Sequence, residues 1–460
     1  MKRFALALLL ALTALLAAAC LPTEEEASPP PHQIELREIS GAVDSWEDGL
    51  LVLTDAAGGR RVLNTRRALV SGRCVPEAGC PVTVAVDAAG APDAALRVRI
   101  LAPPPERTEA ERLLEGMTLE EKVGQMFLVR CPGPGAAAGE LAAGLHLSGF
   151  VVFYRDLAGM NGEQVRAMID GWQQQADLPL FIAVDEEGGD VVRVSLNPAL
   201  RSAPFDAPRD IYLNGGLEAL TADAEEKGRL LRELGFNVDL APVADVSTGS
   251  ADFMYSRSLG QDAPTTAAAV AAQVQGLLQG GVAATLKHFP GYGSNGDTHY
   301  GVVRDQRPAE VFYDSDLLPF RAGIEAGAGL VLVSHNLVTA FDDRLPASLS
   351  PAIHRLLREE LDFSGLIVTD DLAMGGVSQL YGVEECAVLA AAAGNDLLLS
   401  SDPERQIRAV LQAVREDRLP EAKIDEAVER VLRAKIKAGL IELPAADEAE
   451  AGETEAEDAA

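Results

Sequence analysis

Between Lys287 and His299 the chain places a cation, two imidazoles and a carboxylate within one short run, Lys287-His288-Phe289-Pro290-Gly291-Tyr292-Gly293-Ser294-Asn295-Gly296-Asp297-Thr298-His299. Asp297 and His299 are two residues apart, close enough for the carboxylate to orient the imidazole and favour its charge, as a catalytic proton donor and acceptor requires. A second centre lies downstream, where Asp370 and Asp371 follow the apolar run Leu366-Ile367-Val368-Thr369. Other polar groups stand at similar places: Asp185-Glu186-Glu187-Gly188-Gly189 with Arg193 beyond, Asp245 with Arg257, and His335-Asn336. Carboxylates and cations together hold vicinal hydroxyls, and cleaving a glycoside takes a carboxylate at the anomeric carbon plus a proton donor on the leaving oxygen. The collection therefore reads as sugar chemistry. No Cys/His spacing reads as a metal site and no phosphate loop is present, so the reading has neither metal nor cofactor.

These groups need a scaffold that brings distant positions together. Eight apolar segments have strand character: Val123 to Arg130, Gly149 to Phe153, Leu180 to Val184, Val238 to Pro242, Val282 to Phe289, Gly329 to Ser334, Leu366 to Thr369 and Asp396 to Leu399. Helical stretches alternate with them, among them Leu217 to Leu234, Thr265 to Leu278, Ile353 to Leu361 and Val383 to Ala393. Two more, Pro403 to Glu416 and Glu421 to Lys437, close the domain. Eight strands alternating with helices predict an α/β fold of the (β/α)8 TIM-type barrel class, in which strand C-termini face the active site. A doubly wound sheet would alternate in the same way, but no Gly-x-Gly-x-x-Gly follows an early strand.

The chain has 460 residues, room for one large domain and a smaller one. Its formal net charge of -31 argues against nucleic acid as a partner, since phosphate neutralisation takes clustered Lys and Arg. Residues 33–103 read as a small β-rich module and 108–440 as the barrel. From Glu442 to the end there are acidic residues and no basic ones, so 441–460 read as a disordered acidic tail. At the other end, Lys2 and Arg3 precede an apolar run that leads through small residues to Cys20, a secretory signal over 1–20. It resembles a bacterial lipoprotein signal, which implies that Cys20 is lipidated. An ordinary cleaved signal with an incidental Cys is the alternative. Residues 21–32, with Glu24-Glu25-Glu26 and Pro29-Pro30-Pro31, read as a tether. The expectation is an exported protein held by lipid on the extracytoplasmic face of a membrane. Export permits disulfides, and Cys74 and Cys80, flanking Pro76 and Gly79, fit a small-loop bridge as well as two free thiols. Cys131 and Cys386 lie in apolar or helical contexts and read as buried thiols.

Over about residues 108 to 440 the chain resembles family 3 glycoside hydrolases, in the branch of β-N-acetylglucosaminidases. The resemblance rests on Met117-Thr118-Leu119-Glu120-Glu121-Lys122-Val123-Gly124-Gln125-Met126, on Asp185-x-Glu187-Gly188-Gly189-x-Val191-x-Arg193, on Ala241-Pro242-Val243-Ala244-Asp245-Val246, on the Lys287–His299 run and on Val368-Thr369-Asp370-Asp371-Leu372-x-Met374. It implies that Asp370 is a nucleophile that forms a glycosyl-enzyme, and that His299, partnered by Asp297, is the general acid/base. It further implies that Asp185, Arg193, Arg257, Lys287 and His288 hold the sugar. A buried structural pair is the other reading of Lys287 and His288. Asp371 should point away from Asp370, since adjacent strand-end residues face opposite ways. An imidazole titrates near neutrality, which suits proton delivery. It also keeps a second carboxylate away from the glycosyl-enzyme, so phosphate could serve as acceptor.

The chain departs from the family at Tyr292, where many members have His, in a loop about one residue shorter. The activity implied is retaining exo-hydrolysis of terminal β-linked N-acetylglucosamine from peptidoglycan-type fragments. The alternatives are a β-glucosidase or β-xylosidase, a glycoside phosphorylase, and a non-catalytic wall-binding lipoprotein.

Overall fold

The computed structural model describes residues 36–47, 50–55, 60–64, 69–71, 81–87, 95–100 and 105–442. Cys20, the tether, Cys74, Cys80 and the acidic tail from residue 443 on lie outside the described residues. The chain divides into two compact units between Ala102 and Pro103.

In the first unit Leu36–Glu47, Leu50–Asp55, Arg60–Asn64, Leu69–Ser71, Pro81–Asp87 and Ala95–Ile100 form one six-stranded sheet. Leu36–Glu47 is its spine, antiparallel to both Leu50–Asp55 and Pro81–Asp87. Among the described side chains, Leu51, Leu53, Leu63 and Val84 are buried.

The second unit is a parallel barrel. Its strands are β1 (Phe127–Arg130), β2 (Gly149–Val152), β3 (Phe181–Val184), β4 (Val238–Asp239), β5 (Ala283–Phe289), β6 (Leu330–Val333), β7 (Leu366–Thr369) and β8 (Leu398–Ser400). Sequential strands pair in parallel from β1 to β7, and β8 pairs with β1. A bridge between Val368 and Leu397 completes the ring. Side chains alternate across each strand and so form two layers. Leu128, Val151, Phe181, Ala183, Leu332 and Val368 belong to the inner one. Phe127, Val129, Phe150, Ile182, Val331 and Ile367 belong to the outer one, packed with the helices. Burial on both faces is why these strands read as continuous apolar runs.

The surrounding helices are α1 (Pro105–Glu115), α2 (Leu119–Gln125), α3 (Ala136–Leu145), α4 (Gly162–Gln175), α5 (Pro208–Glu233) and α6 (Ala263–Gly280). They continue with α7 (Leu317–Glu325), α8 (Pro351–Arg355), α9 (Gly375–Tyr381), α10 (Val383–Ala393), α11 (Pro403–Arg415) and α12 (Glu421–Lys437). The segment Val123 to Arg130 is not all strand. Thr118 and Glu121 form a capping box that starts α2, and Val123 to Gln125 are its last turn. Likewise Asp396 lies ahead of β8, because its carboxylate is committed to Arg358, Arg430 and the Ile367 amide. The helix expected from Leu217 is the second half of α5, broken from the first at Gly216, whose φ of 65° is left-handed. The one expected from Ile353 to Leu361 begins as α8 and widens into a π-turn over Leu356–Glu360.

Helix α12 seals the N-terminal end of the barrel. Val431 joins the inner layer, with Ala434 and Leu440 packed against it. Lys435 is fully buried there, its Nζ 2.6 Å from Oε1 of Gln125 and 5.4 Å from the Phe181 ring centroid. Burial pushes its amine down to about 7. The opposite end is open, and the polar residues singled out in the sequence gather there.

Candidate active site

Strand β3 ends at Val184, so Asp185 and Glu187 leave the barrel two residues apart on one side of the chain. Strand β5 brings Lys287 to them, with its Nζ 2.7 Å from Asp185 Oδ1 and 2.6 Å from Glu187 Oε1. Arg257, from the loop after β4, clasps Glu187 with Nε at 2.9 Å and Nη2 at 2.6 Å. Lys287 and Glu187 are both almost fully buried. Burial opposes charge on Glu187, but Lys287 and Arg257 outweigh it and hold the carboxyl far below the usual carboxylate range. Burial likewise works against the Lys287 ammonium, and Asp185 and Glu187 raise it above its ordinary value.

The cage continues into an imidazole. Nε2 of His288 lies 3.3 Å from Arg257 Nη2, and its Nδ1 lies 2.7 Å from Asp245 Oδ2. An Nδ1–H that donates to Asp245 leaves Nε2 to accept from the guanidinium. The other oxygen of Asp245 accepts the Tyr292 amide at 2.8 Å. The Tyr292 hydroxyl in turn lies 2.6 Å from Oγ1 of Thr298, the residue between Asp297 and His299. Asp185, Lys287, Glu187, Arg257, His288, Asp245, Tyr292 and Thr298 thus form one unbroken chain of contacts across the mouth.

At its end stands the dyad. Nδ1 of His299 lies 2.5 Å from Oδ1 of Asp297, which also accepts the His299 amide at 2.9 Å. The His299 side chain is 57% exposed, and Nδ1 is the ring nitrogen engaged by Asp297. The loop is fastened on its far side, where the amides of Gly375 and Gly376 donate to the carbonyls of His299 (3.2 Å) and Thr298 (2.9 Å).

Asp370 follows β7 directly and accepts the Asp371 amide on Oδ1 at 2.8 Å. Burial disfavours its charge, yet His335, His288, the Asp371 amide and His299 together hold its carboxyl below the ordinary value. The carboxylate of Asp371 is turned instead to Ser401 and to the Ala373 amide. Beneath Asp370, His335 is completely buried. Its Nε2 lies 3.0 Å from the Asp371 carbonyl and its Nδ1 2.7 Å from Ser348 Oγ. Burial lowers its basicity, against the pull of Asp370 and Asp371.

Of the residues singled out for sugar, Asp185, Arg257, Lys287 and His288 converge in this way. Arg193 stands apart: its Nη1 bonds the Val192 carbonyl at 3.1 Å and its guanidinium lies over the Phe153 ring. Four participants were named in the sequence only as strand-end or loop residues, without a site role: Glu187 as the hub of the cage, Asp245 behind His288, Tyr292 behind the loop, and His335 beneath Asp370. For Glu187 the signal was present in its two-residue step from Asp185. For His335 nothing local distinguishes a buried donor from any polar strand end. Cys131 and Cys386 are buried free thiols.

Comparison with known proteins gives a consistent result. The model of the glycosyl hydrolase family 3 N terminal domain matches residues 118–434. Beta-hexosaminidase LpqI of Mycobacterium tuberculosis is 33% identical over 328 residues, covering 68% of this chain and 82% of that protein. A family 3 β-N-acetylglucosaminidase structure from a Paenibacillus species is similar at a TM-score of 0.66 and 34% identity, over 72% of this chain and 65% of that one, just under two thirds. The β-N-acetylhexosaminidase of Beutenbergia cavernae superposes at 0.62 and 30% identity, over 69% of this chain and 98% of that one.

Proposed function

We propose, from the premise that this chain belongs to glycosyl hydrolase family 3 and is a glycoside hydrolase, that it releases terminal β-linked N-acetylglucosamine with retention of configuration. The observation that carries the reading is the 2.5 Å Asp297–His299 pair on an open loop, on the same mouth as the half-buried, ionised Asp370. The names of the relatives, β-hexosaminidase and β-N-acetylglucosaminidase, support the substrate.

The steps follow from these groups. The Lys287–Glu187–Arg257 cage is charged and rigid before substrate arrives, so Asp185, Arg257, Lys287 and His288 can receive sugar hydroxyls with little reorganisation. A carboxylate oxygen of Asp370 attacks the anomeric carbon while the glycosidic bond breaks, and the departing oxygen takes the proton from Nε2 of His299. Asp297 stabilises the imidazolium that gives this proton and fixes its tautomer. Water then attacks the same carbon, His299 takes up its proton, and Asp370 is released. Two inversions give net retention.

The N-terminal signal places this activity outside the cytoplasmic membrane in the same reading, with Cys20 lipidated. The β-linked N-acetylglucosamine of cell-wall fragments is then the natural substrate.

The test is turnover of 4-nitrophenyl N-acetyl-β-glucosaminide by a form lacking the signal, beside Asp370→Asn and His299→Ala. Turnover in the parent, abolished in Asp370→Asn and only slowed in His299→Ala, is the expected pattern, because nitrophenolate needs little protonation to leave. Adding inorganic phosphate and assaying the sugar phosphate separates hydrolysis from phosphorolysis. A parent inert on this substrate and equally on the glucoside and xyloside would sink the reading and leave a binding protein.

A further inference from the structure

Asp371, the neighbour of the nucleophile position, is held at each of its polar groups. Its amide donates to Asp370 Oδ1 at 2.8 Å, and its carboxylate accepts from Ser401 and from the Ala373 amide. Its carbonyl accepts the Met374 amide at 2.9 Å, and the other lone pair goes to Nε2 of His335 at 3.0 Å. The catalytic scheme leaves this imidazole unused.

The ring's partners decide where its hydrogen sits. A carbonyl only accepts, so Nε2 carries one. Burial works against a second. Nδ1 is then the acceptor, and it faces the Ser348 hydroxyl at 2.7 Å. Ser348 is completely buried in the short 3-10 turn Ala347–Leu349. Its amide donates to the Ser334 carbonyl at 3.0 Å, and its carbonyl accepts Nδ2 of Asn395 at 2.8 Å. Asp370 is tied to the same strand end, its amide donating to the Val333 carbonyl at 3.1 Å. The run Ser348–His335–Asp371–Asp370 thus joins the ends of β6 and β7, with Asn395, just ahead of β8, bracing it.

Its chemistry suits a group whose charge changes during turnover. Attack turns the Asp370 carboxylate into an ester, and hydrolysis restores it. A cation fixed beneath it would favour the carboxylate and oppose attack. A ring with one hydrogen, locked by Ser348, keeps the Asp371 amide aimed at Oδ1 in both half-reactions.

We propose that His335 and Ser348 are positioning residues for the nucleophile, Ser348 fixing the tautomer of His335 and His335 fixing, through the Asp371 carbonyl, the amide that Asp370 accepts. This rests on the reading of Asp370 as the nucleophile of a retaining glycosidase.

The test is covalent labelling of Asp370 by the 5-fluoro derivative of N-acetylglucosaminyl fluoride, read by mass spectrometry. Fluoride leaves with little help from an acid, so labelling reports the nucleophile rather than His299. Ser348→Ala should slow labelling by about fivefold to tenfold, as one buried hydrogen bond provides, and Ser348→Thr should restore most of the rate. His335→Leu should slow it by about a hundredfold, with His335→Gln, which keeps a donor, between the two. Calorimetric affinity for N-acetylglucosamine should stay within about twofold of the parent, because the cage is untouched and the variants remain folded.

The pH profile supplies a second reading. Asp370 is faced by His288 from β5, by Tyr292 and His299 from the loop after it, by His335 from β6 and by the Asp371 amide. His335 itself is faced by Asp370, Asp371 and His299. Misaligning the amide raises the Asp370 carboxyl, so the acid limb of kcat/KM should move to higher pH in Ser348→Ala and His335→Leu. Labelling at the parental rate in every variant overturns the proposal. So does slowed labelling with an equal loss of sugar affinity and an unmoved acid limb, which is the mark of a merely structural role. If His335→Leu does not fold, the Ser348 pair carries the test alone. A parent that is neither labelled nor active on nitrophenyl sugars overturns the nucleophile reading itself, and this proposal with it, a result distinct from either of the others.

Discussion

The phenol oxygen of Tyr292 stands 2.6 Å from Oγ1 of Thr298, and both residues are buried. Tyr292 is held at its root by Asp245 and packed among Val243 and Met254. The bond therefore ties the rigid end of β5 to the point of the loop between Asp297 and His299.

Removing that tie should loosen proton delivery rather than sugar binding. Tyr292→Phe and Thr298→Val each delete one hydrogen bond, worth about 1 kcal/mol. The expected effect is a fall in kcat of about fivefold to tenfold on glycosides with poor leaving groups, and a smaller fall on the nitrophenyl glycoside. The double variant should be no worse than either single one. A leaving-group series checks this; equal losses across the series would show a purely structural role.

A steric change on the other side of the loop should act in the same direction. A Cβ at Gly376 would lie 2.8 Å from the Thr298 carbonyl oxygen and 3.3 Å from Cβ of His335. Neither neighbour is the free end of a flexible chain. Gly376→Ala should lower kcat on poor leaving groups by more than tenfold while the thermal midpoint moves by only a few degrees, as kinetics and calorimetry on one preparation would show.

The cage should fail as a unit. Glu187→Gln leaves Lys287 buried with only Asp185 and strips Arg257 of its carboxylate. Breaking a buried pair on one side costs roughly 3–5 kcal/mol. The denaturant midpoint should drop accordingly and KM should rise with it. Because the folded carboxyl is depressed, its contribution is present above the ordinary carboxylate range and is lost only as pH falls into strong acid. The gap between parent and variant should therefore hold constant from pH 6 to 8 and narrow only at low pH.

The amine of Lys435 gives the opposite dependence. Its folded value of about 7 lies below that of a free lysine. Between these values the unfolded chain binds more protons than the folded one, so stability rises with pH. The burial penalty is fully present below about pH 7 and gone by about 10.5. Lys435→Met should therefore be more stable than the parent at pH 6, by roughly 3–5 kcal/mol less the lost Gln125 bond. The difference should shrink toward zero by pH 10. Urea titrations across that range measure it, and a pH-independent difference would contradict it.

Much of this was legible in the chain because barrel strands buried on both faces leave continuous apolar runs, each followed by the polar residues of a strand end. Asp185, Lys287, His288, Asp297, His299 and Asp370 were visible on that ground. What stayed hidden depends on contacts between distant segments. Glu187 looks like one of three adjacent acids until Arg257 and Lys287 close on it. Tyr292 is a lone aromatic in a glycine-rich loop until Thr298 folds back over it. The position of Arg193 over the ring of Phe153, a residue with no chemistry of its own, was equally invisible in the chain. The strand read from Val123 failed locally: a capping box at Thr118 carried a helix into the start of the apolar run.

The pairing of β8 with β1 has a consequence for biogenesis. An emerging chain exposes Phe127–Arg130 early, and its partner Leu398–Ser400 appears only after most of the barrel has been made. The plug, Val431 with Lys435, comes later still. Until then β1 has an open edge and Phe181 an uncovered face. The mouth, built from loops between β3 and β7, is thus synthesised well before the ring that gives it shape can close, so holdase binding during synthesis should centre on the β1 edge.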